Sequence, residues 1–143
     1  MNATYRKLTI VAIIGIISLL LPQKADAQIK HMGPSTSEKL AIKEGQKILD
    51  CLRNGNTSYP YSQFDKQMKS SLSEKELALV FSEIEKKCGK YQSSKNWTMT
   101  KNGIYVIVTA KVNFEIFSLQ YLITFNMNDL IAGMYFKPLP QKE

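Results

Sequence analysis

The hydrophobic period of this chain changes once, at Gly89, from that of a helix to that of a strand, and such a change restricts the fold more than any composition value. Before it, Leu77, Val80, Phe81, Ile84 and Cys88 recur at i, i+3, i+4, i+7 and i+11, one face of an α-helix. After it, Ile104, Val106, Val108, Ala110, Val112 and Phe114 take every second position, and the other face is mostly polar at its far end, with Thr109, Lys111, Asn113 and Glu115. That is a strand with one buried face.

Three helices are expected first. Residues 34–38 open one, with Ser35 and Glu38 as a capping box. Ala41, Ile48, Leu49 and Leu52 share a face, Gly45 permits close approach on that side, and Gly55 ends the helix. Tyr61, Phe64 and Met68 mark a short second helix after Pro60, reaching toward Leu72. Ser73 and Glu76 form the capping box of the third, which stops at Gly89.

About four antiparallel strands follow. The first covers 91–100 and carries the one tryptophan, Trp97; the turn Lys101-Asn102-Gly103 leads to the alternating strand. A tight connection at 115–117 gives a hairpin partner with Phe117, Leu119, Tyr121, Ile123 and Phe125 inward. After a turn at 126–129, residues 130–136 form a last strand, apolar on both faces and stopped by Pro138 and Pro140. The expected class is α+β, with the helices laid on one face of a curved sheet.

Residues 1–27 read as an export signal: Arg6 and Lys7, then an uncharged apolar run at 8–21, then Ala25-Asp26-Ala27 as a small-x-small cleavage site before Gln28. The run is 14 residues long, short of the roughly 18 needed to span a bilayer. Residues 28–35 form a leader, 36–138 a single domain and 139–143 a tail, in a periplasmic or extracellular protein that meets the membrane only through its signal. Removing three of the 19 basic and one of the 12 acidic residues leaves 116 residues with a net charge of +5. The basic residues are scattered, and without basic and aromatic interleaving nucleic acid is not an expected partner.

The mature chain keeps two cysteines, Cys51 and Cys88. An oxidising compartment favours a disulfide between them; two separate buried thiols are the alternative, since Cys88 also continues the apolar stripe. One histidine, His31, and no Cys-x-x-Cys leave too few ligands for zinc, and no metal or cofactor is expected. Asn56-Thr57-Ser58 and Asn96-Trp97-Thr98 match a glycosylation pattern but read as chance in a bacterial setting.

Several phrases, in order, resemble the bacterial family called domain of unknown function 3887, within the superfamily named after nuclear transport factor two. They are LDCLRNG at 49–55, Phe64-Asp65 with Met68-Lys69, LSEKEL at 72–77, Gly89-Lys90-Tyr91, Val112-Asn113-Phe114-Glu115, and IAGMYFKP at 131–138. The resemblance implies a cone: a strongly bent sheet folded over helices, with a pocket at its wide end, a cystatin-like arrangement. It also implies an α/β-hydrolase following the domain in many members. This sequence ends at Glu143 and has no nucleophile elbow, so hydrolase activity is not carried over.

Three functional classes remain. An enzyme of this superfamily needs a carboxylate or histidine aimed into the cone, yet the inward positions of the two clearest strands offer Tyr121 alone, and no catalytic residue is assigned; Asp65 is the best acidic candidate, although capping or solvating the second helix is its plainer role. A pocket binder for a small apolar or envelope-derived ligand would use Tyr61, Phe64, Asp65, Trp97, Tyr121 and Phe125. An interaction module, such as a homodimer, would use the outer sheet face with Tyr105, Ile107, Leu122 and Tyr135. The expectation is an exported, non-enzymatic binding or accessory module of the bacterial envelope, with the homodimer and an isomerase- or dehydratase-like enzyme as alternatives.

Overall fold

A computed structural model of the protein describes residues 37–139 and the backbone of Ile13 and Ile14. The rest of the expected signal, its cleavage site and the capping box expected at Ser35 lie outside the described residues. The element order is β1 (Ile13–Ile14), α1 (Glu38–Arg53), α2 (Ser58–Ser62), α3 (Lys66–Ser71), α4 (Glu74–Cys88), β2 (Tyr91–Asn102), β3 (Tyr105–Phe114), β4 (Ser118–Phe125) and β5 (Ile131–Pro138). The class is α+β, and the sheet is antiparallel throughout, in the order β1-β5-β4-β3-β2.

Helix α1 is capped by Ser37, whose hydroxyl accepts from Leu40 N–H at 3.3 Å. The expected second helix is two. Between α2 and α3 the chain at Phe64 forms a parallel bridge with Ile131, in which Ile131 N–H donates to the Gln63 carbonyl (2.7 Å) and Asp65 N–H to the Ile131 carbonyl (3.0 Å). Sheet hydrogen bonds replace helical ones there. The Asp65 carboxylate then restarts the helix by accepting from Met68 N–H at 2.8 Å. Helix α4 opens with the expected capping box of Ser73 and Glu76. At its end Gly89 has φ +84°, and a Cβ there would lie 2.7 Å from that of Glu115.

Strand β3 alternates without a break between half-buried and buried residues. Val106, Val108, Ala110, Val112 and Phe114 face the helices together with Leu119, Tyr121, Ile123 and Phe125 of β4. Ile104 falls before β3, in the turn, and is 39% exposed; the buried alternation starts two residues later, at Val106, than its pattern suggested. From the helices, Ala41, Ile48, Leu49, Leu52, Met68, Leu77, Phe81, Ile84 and Cys88 complete one continuous core. Phe81 joins the layers, its ring centroid 5.9 Å from that of Phe114 and 6.3 Å from that of Phe136.

Both cysteines are free thiols, so the expected disulfide is not formed. Cys88 belongs to the apolar stripe of α4 and is fully buried, while Cys51 is half-buried on α1. Burial also pushes the Cys88 thiol above its ordinary pKa, which keeps it protonated and unreactive.

Candidate functional site

The site is set by how α1 crosses the sheet. At Gly45 a Cβ would lie 3.0 Å from Val108 Cγ1 and 3.4 Å from Trp97 Cζ3, so the absent side chain is what lets helix and sheet approach this closely. Directly beneath, Tyr121 is fully buried and its hydroxyl donates to the Gly45 carbonyl at 3.4 Å. Burial, aided by the charge of Glu44, drives that phenol far above its ordinary pKa, so it holds its proton.

Trp97 reaches this corner through a bulge. Lys95 pairs with Lys111 and Thr98 with Thr109, so β2 spends one more residue than β3 over the interval, and Asn96 takes φ +57°. A bulge of this kind re-aims the side chain that follows it, and asparagine tolerates the left-handed conformation better than most residues. The indole meets Tyr121 edge-on, with centroids 6.0 Å apart, and its Nε1 donates to Ser94 Oγ at 3.3 Å.

The outer side of this corner is a cleft of about 220 Å³ between α1 and β2, lined by Gln46, Leu49, Asp50, Ser94 and Trp97. Gln46 and Asp50 also line a longer groove of about 560 Å³ that follows α1 past Lys43, Lys47 and Cys51 to Asn54 and Asn56. The cleft and groove therefore share a wall. Arg53 Nη1 lies 2.9 Å from Asp50 Oδ1, and its guanidinium carbon sits 3.7 Å from the Tyr91 ring centroid. Farther along, the Tyr59 hydroxyl donates to Glu44 Oε1 at 2.6 Å while Lys47 Nζ lies 3.8 Å over the Tyr59 ring. Burial and then the bond to Glu44 raise the Tyr59 pKa, and the contact with Tyr59 raises that of Lys47.

The six sequence-derived candidates fall into two groups. Trp97 and Tyr121 meet beneath Gly45. Phe64, Asp65 and Phe125 gather at Ile131, through the Phe64 bridge and the Phe125 pairing, with Tyr61 beside them, its ring 5.7 Å from that of Phe64. Tyr121 and Phe125 lie four residues apart on one strand, about 13 Å at the usual rise, so the groups sit at separate places along the sheet. Phe64, Tyr121 and Phe125 are at most 2% exposed and act as core; Asp65 is a helix cap. Of the six, Trp97 stands at a surface cleft.

Sequence reasoning missed Gln46, Asp50 and Ser94 as its neighbours. The i, i+4 spacing of Gln46 and Asp50 on the helix carrying Gly45 was the available signal. Nothing in the alternation of β2 announced the bulge that brings Ser94 and Trp97 to them.

Helices followed by an antiparallel sheet, with a glycine-permitted helix crossing above a bulged strand, define a small α+β domain. A family model matches residues 45–134, and the chain belongs to that family, described as Protein of unknown function (DUF3887). No curated protein and no solved structure matches the chain. Among the described residues there is no cluster of metal-ligating side chains, and no helix is long and apolar enough to cross a membrane.

Proposed function

We propose that this protein is an exported, non-enzymatic binding or accessory module of the bacterial envelope, with the cone architecture of the nuclear transport factor two-like superfamily. The observation that carries the reading is the cleft beside Trp97 and its continuation along α1, where aromatic and hydrogen-bonding side chains converge on open space. The inward sheet face supports a non-catalytic role: its residues on β3 and β4 are apolar apart from Tyr121, whose hydroxyl is committed to Gly45 and held protonated. Asp65, the acidic candidate for an enzyme, is engaged as the cap of α3. A native mass spectrum of protein purified from an exporting host tests the reading. Cleavage before Gln28 and a retained mass that leaves on denaturation are expected; an uncleaved chain would end the export reading.

A second reading has its own observation. On the face away from the helices, Ile107, Thr124 and Gly133 form one cross-strand row, and Thr109, Leu122 and Tyr135 another. Ile107, Leu122 and Tyr135 in these rows are half-buried and keep part of their apolar surface open on this face, the kind of surface that another copy can cover. A homodimer through it would be concentration-dependent and weakened by Tyr105→Lys; a monomer at all concentrations would remove this reading.

A further inference from the structure

Resting on the binding reading above, we propose that the cleft beside Trp97 takes one sugar ring of an envelope glycan, whose next units run along the groove of α1. A sugar ring presents a face of C–H bonds and a rim of hydroxyls. The groups that recognise it are an aromatic wall and short hydrogen-bonding side chains able to donate and accept. Here the indole of Trp97 stands with the Gln46 amide, the Asp50 carboxylate and the Ser94 hydroxyl around a single cleft. Ser94 Oγ accepts from the indole N–H, so its own hydrogen can be donated.

Size and charge separate this ligand from its competitors. A cleft of about 220 Å³ is smaller than the ~300–1,000 Å³ of pockets for drug-sized ligands and suits one ring; the groove of about 560 Å³ that shares Gln46 and Asp50 gives the following units a path. That path ends at two more amides, Asn54 and Asn56. A cationic amine would need an unbalanced carboxylate, but Asp50 is already paired with Arg53, and Glu44, the groove's other carboxylate, accepts from the Tyr59 hydroxyl and stands among Lys43 and Lys47. A lipid tail would need apolar walls, which beyond Leu49 and Trp97 the cleft lacks.

The test uses the emission of Trp97, the one tryptophan, with calorimetry on the same samples. Protein from an exporting host is titrated with chitotetraose, maltotetraose and, as the apolar arm, decanoate. Gln46→Ala and Ser94→Phe are compared with the parent, and unchanged melting curves establish that both variants fold. Saturable binding of a tetrasaccharide is expected, weakened about tenfold in Gln46→Ala by loss of one hydrogen bond and abolished in Ser94→Phe, which fills the cleft. Sugar binding unaffected by either substitution would overturn the assignment to this cleft. Binding of decanoate without either sugar would overturn the glycan and leave the binder reading standing. No response to any of the three would overturn the glycan and count against the binder reading as well.

Discussion

Strands β2 and β3 form one hairpin, yet they behave as different kinds of element. β3 alternates half-buried and buried over its whole length, while β2 has no buried residue and shifts register twice. In β3 the packing of every second side chain fixes the register, because a one-residue slip would turn Val106, Val108, Ala110, Val112 and Phe114 to the outside. β2 has no such constraint. It is free to bulge at Asn96, and the bulge is what puts Trp97 between the core and a surface cleft. The regular strand holds the fold, and the irregular one makes the site.

The largest test of this contrast compares a buried residue of β3 with a half-buried one of β2. Phe114→Ala removes a ring that packs against Phe81 and Tyr91 and is expected to cost about 3–5 kcal/mol in chemical denaturation. Met99→Ala, opposite Val108 on β2, removes a half-buried side chain and is expected to cost well under half as much. Equal losses would mean that β2 is as firmly specified as β3.

The bulge gives the next effect. Asn96→Ala places a residue with a Cβ penalty at φ +57° and is expected to cost about 1 kcal/mol, whereas Asn96→Gly should change stability by less than about 0.5 kcal/mol. If alanine is as stable as glycine, the left-handed conformation at this position is not what the strand requires.

A smaller effect comes from the capping box. The Glu76 carboxylate accepts from Ser73 N–H at 2.8 Å and from its hydroxyl at 2.9 Å, which lowers the Glu76 pKa below its ordinary value. A group whose pKa is depressed by folding stabilises the fold above its unfolded pKa and stops doing so as the pH falls through the folded one. The melting temperatures of parent and Glu76→Gln should therefore differ at pH 7 and converge in acid below the carboxylate range. A difference that persists there would assign the effect to shape rather than charge.

The cysteines supply a comparison without an energy. Iodoacetamide at neutral pH should modify Cys51 in the native protein and reach Cys88 only on unfolding. Resistance of both thiols in native and denatured protein alike, reversed by a reductant, would show a disulfide instead.

How much was legible depended on how each residue is constrained. The capping box of α4, the end of that helix at Gly89 and the buried faces of β3 and β4 follow from local periods and caps. Gly45 was legible as a point of close approach, though not what approaches it. The division of the expected second helix was not, because the helical spacing of Tyr61, Phe64 and Met68 survives a break whose cause, the bridge to Ile131, lies 67 residues downstream of Phe64. The candidate pocket suffered in the same way: aromatic residues at inward positions are chosen alike for a core and for a cavity wall, and only their packing separates the two.

The sequence by itself determined the α+β order, the inward faces of the regular strands and the family, since each rests on interactions a few residues apart or on phrases kept in order. The tertiary structure alone decided that Cys51 and Cys88 stay apart and that Trp97 meets Gln46, Asp50 and Ser94 at one cleft. Both outcomes depend on distances between segments far apart in the chain, the second on one glycine crossing and one extra residue in β2, and neither the hydrophobic period nor the spacing of charges carries that information.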